Sequence, residues 1–173
     1  MLNILPFNGE ELEFSNSPLE TPIAYSKHSI NQSDIDAVIE CLANAPITQG
    51  TLVPKFEQSI SKKIGCIGAV ASNSATSSLH LACLALNIGV GDIVWTAPIS
   101  FVASANAALM CGATVDFVDV DINTGNLCVD SFEQKIKLAR LKNKLPKALI
   151  VVHFSGRPCK MAQISKICKE YGI

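Results

Sequence analysis

Long hydrophobic runs are missing from the 173-residue sequence. No apolar stretch reaches the roughly 18 residues that a membrane helix needs. The opening MLNILPFNGEELEF has no basic segment and carries Glu10, Glu11 and Glu13, so it does not read as a secretory signal. A charge excess is missing too: 14 Lys+Arg against 15 Asp+Glu leave a formal charge of −1. No basic stripe marks a nucleic-acid binder. Charged residues make up only 17% and hydrophobic ones 49%, which excludes general disorder and is enough for one sizeable core. The seven cysteines contain no C-x-x-C pair, which argues against a zinc ribbon or a thioredoxin-like redox pair. Most of them stand among Ala, Leu, Val and Ile, where a thiol behaves as a small hydrophobe. The reading is a reduced, cytoplasmic protein. No G-x-G-x-x-G follows a strand, and no G-K-[ST] is present, which excludes the dinucleotide fingerprint and the NTPase phosphate loop.

What is present is an alternation of periods. Residues 1–22 are polar, with Pro6, Pro18 and Pro22, and read as an N-terminal arm. Ser33 is expected to cap a helix over SDIDAVIECLAN, followed by a turn from Pro46 to Gly50 and a helix from Leu52 to Ile64 that Gly65 stops. Then come four strand–helix pairs: IGAVAS (67–72) with 74–87, DIVWTA (92–97) with 101–110, TVDFVDV (114–120) with 131–143, and KALIVVHF (147–154) with 161–171. Strands that are continuous apolar runs belong to a sheet covered on both faces. The expected fold is α/β, a mostly parallel sheet flanked by helices.

Ligands of such sheets sit beyond the carboxyl ends of the strands. Two segments fall there. Asn73-Ser74-Ala75-Thr76 lies between a strand and a helix, where free N–H groups and the helix dipole favour a phosphate. An ordinary Ser or Thr cap explains the same residues. Phe101 follows Pro98-Ile99-Ser100; an aromatic there can stack on a planar ring, or simply open a helix from the core. His153 ends a strand and reads either as lining a site or as supporting the Ser155-Gly156 turn. His28, His80 and His153 have no metal-ligand spacing, so no metal site is expected. Asp116, Asp119 and Asp121 read as a solvated loop rather than a cation site.

The ordered series Thr48-Gln49-Gly50, Phe56-Glu57, Asn73-Ser74-Ala75-Thr76-Ser77-Ser78-Leu79-His80, Pro98-Ile99-Ser100-Phe101-Val102-Ala103-Ser104-Ala105-Asn106 and Val152-His153 with Gly156 and Pro158 resembles the DegT/DnrJ/EryC1/StrS aminotransferases. The resemblance covers residues 23–173. Within that family, Tyr25-Ser26-Lys27 and the T-x-P-I-S-F-V-A-x-A-N wording look most like the pseudaminic acid branch. The resemblance implies a fold-type-I aminotransferase large domain, pyridoxal 5'-phosphate as cofactor, and a homodimer. It implies amino transfer from glutamate to C4 of a UDP-4-keto-6-deoxy-N-acetylhexosamine. It places the cofactor phosphate on Ala75 and Thr76 with Ser74 beside them, and the cofactor ring against Phe101. It places Tyr25, Ala45, Pro46, Ile47 and Thr48 near the nucleotide-sugar.

One departure is large. The family's cofactor-pairing Asp, in an E-D-x-x-H-A-like segment, and its cofactor-holding Lys, in an S-F-H-x-x-K-like segment, match nothing in this sequence. Tyr171-Gly172-Ile173 reads as a helix stop followed by the start of a further strand. The expectation is therefore a large domain cut short before both residues, inactive by itself. A non-catalytic binding or regulatory member of the family, or an inactive gene fragment, remain the alternative readings.

Overall fold

A computed structural model describes residues 26–173; the expected arm at 1–22, and Tyr25, lie outside the described residues. Two units are described separately, residues 26–51 and Leu52–Ile173.

In the first unit, Asn31 rather than Ser33 caps helix α1 (Gln32–Asn44). The Asn31 Oδ1 accepts from the Ser33 N–H at 2.9 Å, and the Asp34 carboxylate accepts from the Asn31 N–H at 2.9 Å. This reciprocal capping box needs an acidic residue three positions after the cap. Asp34 supplies it for Asn31, while Asp36, three positions after Ser33, accepts instead from the Gln32 side chain at 2.8 Å. Ile35, Val38, Ile39 and Leu42 recur at helical spacing, yet α1 buries no residue. The chain then turns sharply. Gln49 takes a positive φ of 54°, and a Cβ on Gly50 would collide with the Pro46 carbonyl, so only glycine fits there.

In the second unit, α2 (Leu52–Ile64) has the expected bounds, and Gly65 ends it with an N–H to Ser61 O bond of 2.8 Å. Residues 67–72 do not form the expected strand. A strand exists only through its ladder, and IGAVAS pairs with no strand among the described residues. Ile67 and Val70 stay exposed. What tethers the segment is Glu57, whose carboxylate accepts from the Ala71 N–H at 2.8 Å.

From there the alternation is as expected: α3 (Ala75–Ala85), β1 (Ile93–Thr96), α4 (Ala103–Met110), β2 (Thr114–Phe117), α5 (Val129–Leu141), β3 (Ala148–Ile150), and α6 (Met161–Tyr171). The three strands form a parallel sheet in the order β2-β1-β3, with Trp95 level with Asp116 on one side and Leu149 on the other. Successive side chains of a strand point to opposite faces. β1 shows this directly. Val94 joins Cys83, Ile88, Ala107, Ala108 and Ala113 under α3 and α4. Trp95 joins Val118, Phe132, Ile136, Ile164 and Ile167 under α5 and α6, meeting the Phe132 ring edge-on at 6.3 Å. Lys135 covers the open side of that indole, 4.8 Å from its centroid, and pairs with Asp116 at 2.7 Å. No helix of the described residues is long and apolar enough to cross a membrane.

Candidate functional site

The N-terminus of α3 is built by serines. Ser74 is extended (φ −161°, ψ 158°), and its hydroxyl accepts from the Ser77 N–H at 3.2 Å. The Ser74 carbonyl accepts from Ser78 N–H at 3.0 Å and from the Ser72 hydroxyl at 2.9 Å. Ser72 and Ser78 also share a hydroxyl–hydroxyl bond. The turn is thus held from both sides, and Ser74 serves the helix as its cap. The next two N–H groups, of Ala75 and Thr76, have no acceptor among the described residues. Two free N–H groups at the positive end of a helix, beside a small side chain and a half-buried threonine hydroxyl, are suited to a phosphate. The fit to a phosphate-bearing cofactor therefore rests on backbone geometry, with Ala75 and Thr76 as the open donors and Ser74 as the residue that shapes them.

Phe101 does not open a helix from the core. Helix α4 begins two residues later, and Phe101 is 75% exposed on the connection from β1. Its carbonyl accepts from the Ser104 N–H at 3.0 Å, which fixes the backbone beneath a free ring. α3 and α4 pack against each other, so the Ser74 turn and Phe101 precede two neighbouring helices.

Of the remaining sequence candidates, Ala45 ends α1 with an N–H to Cys41 O bond of 3.0 Å and is half-buried. Pro46, Ile47 and Thr48 are exposed on the following turn. His153 lies beyond the end of β3; its carbonyl accepts from the Gly156 N–H at 3.0 Å in the turn, and its Nδ1 accepts from the Cys159 N–H at 3.2 Å. Asp119 and Asp121 are used locally, accepting from the N–H groups of Val120 and Asn123. Asp116 ionises below the usual carboxylate range. Burial opposes this, and hydrogen bonds from Lys135 and the Phe117 N–H outweigh it.

Glu57, which the sequence singles out only through the family resemblance, has a structural role here, and Asn126 escaped the sequence reading altogether. Glu57 anchors the stretch that leads into the Ser74 turn. Asn126, only 5% exposed, clamps the loop after β3. Its Oδ1 accepts from Phe154 N–H at 2.8 Å, and its Nδ2 donates to Arg157 O at 3.0 Å and Pro158 O at 3.4 Å. Gly125 must precede it, because at φ +68° a Cβ would lie 2.6 Å from the Phe154 ring. The Thr124-Gly125-Asn126 sequence carries a turn signal, but nothing in the sequence shows that its amide reaches across to residue 157. A cleft of about 430 Å³ opens elsewhere, between α5 and α6. It is lined by charges of both signs, including Asp130, Glu133, Arg157, Lys160 and Lys166, and contains none of the candidate cofactor residues.

Known proteins resemble the chain over this same span. One relative is the UDP-4-amino-4,6-dideoxy-N-acetyl-beta-L-altrosamine transaminase of Campylobacter jejuni subsp. jejuni serotype O:23/36. It is 43% identical over 152 residues, which are 87% of this chain and 39% of the relative. The solved structure of Helicobacter pylori PseC, an aminotransferase involved in the biosynthesis of pseudoaminic acid, superimposes with a TM-score of 0.76 at 32% identity. It matches 87% of this chain and 39% of PseC. The PLP form of Spr1654 from Streptococcus pneumoniae gives a TM-score of 0.75 at 26% identity, over 86% of this chain and 36% of that one. The chain thus spans about two fifths of the length of the relatives it matches. The model of the DegT/DnrJ/EryC1/StrS aminotransferase family matches residues 28–173. The chain belongs to the DegT/DnrJ/EryC1/StrS aminotransferase family, and its fold is part of the parallel-sheet domain of those pyridoxal-phosphate enzymes.

Proposed function

We propose that these 173 residues are the cofactor-phosphate side of a pyridoxal 5'-phosphate-dependent sugar-nucleotide aminotransferase. The reaction would move an amino group from glutamate to C4 of a UDP-4-keto-6-deoxy-N-acetylhexosamine, in the pseudaminic acid pathway. The observation that carries the reading is the Ser74 turn, with the Ala75 and Thr76 N–H groups left without acceptors. The 43% identity to the altrosamine transaminase supports the choice of substrate. The cofactor, when bound, supplies an electron sink for the amino-bearing carbon. The chain's own residues bind and orient. Ala75 and Thr76 donate to the phosphate, and Ser74 keeps them in line. The exposed Phe101 ring offers a face on which a planar ring stacks. Ala45, Pro46, Ile47 and Thr48, with Tyr25, are assigned to the nucleotide-sugar. Residues 23–173 form the domain portion that does this. The resemblance also supports a homodimer and a cytoplasmic location.

Nothing in the 173 residues matches the S-F-H-x-x-K-like or E-D-x-x-H-A-like segments. This favours binding without transfer for the 173 residues by themselves. A titration with pyridoxal 5'-phosphate, read by cofactor fluorescence, tests the assignment. Thr76→Ala keeps the N–H but removes the hydroxyl's bond to a charged group, worth about 1.5–3 kcal/mol, so affinity should fall roughly 10-fold or more. Phe101→Ala should loosen the ring and leave inorganic phosphate binding intact. Equal affinity for pyridoxal and its phosphate would remove the turn from the site.

A further inference from the structure

We propose that the cleft between α5 and α6 binds a free amino acid with an apolar side chain, held as its zwitterion. The cleft measures about 430 Å³, within the size range of small-molecule sites. Its two walls carry opposite charge. Asp121, Asp130 and Glu133 line it from α5 and the loop before that helix. Arg157, Lys160 and Lys166 line it from α6 and the loop before that one. Among the described residues no ion pair crosses from one wall to the other. Glu133 pairs instead with Lys137 on its own helix at 2.6 Å, and the Asp121 carboxylate accepts from the Asn123 N–H at 2.9 Å. Asp130 remains, opposite three cations that make no ion pair among the described residues. The last acid of the lining, Glu170, lies about 15 Å along α6 from Lys160.

Opposite charges held apart across open space suit a ligand that brings the complement of each. An ammonium group meets Asp130, and a carboxylate meets Arg157 and Lys160. α6 starts without a side-chain cap, and its positive end adds to the basic wall. Leu127 and Ile167 of the core cluster, with the half-buried Val129, give the cleft an apolar floor on which an aliphatic side chain leaves water. The frame is set before a ligand arrives. Asn126 lines the cleft, and its Nδ2 ties the Arg157 and Pro158 carbonyls to the loop before α5 at 3.0 and 3.4 Å. A wall fixed in advance costs less ordering on binding. The proposal stands whether or not the Ser74 turn holds a cofactor, because the cleft contains none of the residues assigned to it.

The test titrates the full chain, without cofactor, by amide-resolved NMR. The probes are L-leucine, 4-methylpentanoate, which lacks the ammonium, and isopentylamine, which lacks the carboxylate. The expected result is saturable shifts at the Asp130, Arg157 and Ala162 amides with L-leucine, and binding about 10-fold weaker for each half-ligand. Asp130→Asn should erase the advantage of L-leucine over 4-methylpentanoate. Arg157→Gln should reduce its advantage over isopentylamine. Lys62→Ala, on α2, should change neither. Binding of 4-methylpentanoate as tight as that of L-leucine would overturn the proposal in favour of a plain anion site. So would L-leucine shifts that never saturate, or that gather away from the cleft, or a preference for L-leucine that survives both cleft variants.

Discussion

Helices α2 and α6 are both short amphipathic helices with lysine in the last turn, and they meet different fates. α6 buries Ile164 and Ile167 against α5 and the sheet. α2 buries nothing, and Phe56 and Ile64 stay mostly exposed. An apolar stripe therefore specifies a helix without specifying its partner. The difference separates the second unit into packed parts, under α5 and α6 and under α3 and α4, and an open side, α2 and residues 67–72, that leads into the Ser74 turn. Function is read on the open side, where polar groups are still free, and stability in the packed parts.

The largest test of that contrast substitutes one phenylalanine on each side. Phe132→Ala removes a fully buried ring and its edge contact with Trp95, and should cost about 3–5 kcal/mol in urea unfolding. Phe56→Ala, at 58% exposure, should stay within about 0.5 kcal/mol. Equal losses would break the distinction. A smaller effect is expected at the polar clamp. Asn126→Ala strands the Phe154 N–H and two carbonyls, and should cost about 1–3 kcal/mol in the same measurement. Asn126→Asp keeps the acceptor for Phe154 and loses the donor to Arg157 and Pro158. An intermediate loss would show that both ends of the amide count.

Much of this layout could be read from the chain. α2 matches its expected limits, and β1, β2 and β3 fall inside the apolar runs assigned to them. The Ser74 turn also lies where the helical period begins, although the residues before it form no strand. What could not be read depends on distant partners. IGAVAS has a strand's composition, but a ladder needs a neighbour, and the described residues give it none. Phe101 has the same composition signal whether it is buried or exposed, and only the fold shows it 75% exposed. The reach of Glu57 to Ala71 and of Asn126 to Arg157 crosses spans that no local period encodes. Asn31 and Ser33 are both good caps, each with an Asp three positions on, and only the structure shows that the Asn31–Asp34 box is the one that forms.

Two finer predictions follow that order. Asn31→Ala should cost α1 about 0.5–2 kcal/mol, read as lost helical signal, while Ser33→Ala changes little. The smallest effect concerns Asp92. Lys147 first, and then the Gly89 N–H, hydrogen-bond its carboxylate and hold it below the usual carboxylate range, with burial opposing. A depressed folded-state value stabilises the fold fully above the unfolded value of about 3.9, and the gain is lost as pH falls through the lowered folded value. Lys147→Met should therefore flatten the acid limb of stability against pH, and added salt should shrink the difference between the two proteins.

The central claim is that Ala75 and Thr76 present free N–H groups to a phosphate. The most direct measurement is an amide-resolved NMR titration of the chain with pyridoxal 5'-phosphate, and in parallel with pyridoxal. The account predicts saturable shifts of the Ala75 and Thr76 amides with the phosphate ester and none with pyridoxal at the same concentrations. Silent Ala75 and Thr76 amides, with the shifts gathered instead at Arg157, Lys160 and Lys166 in the cleft between α5 and α6, would contradict it.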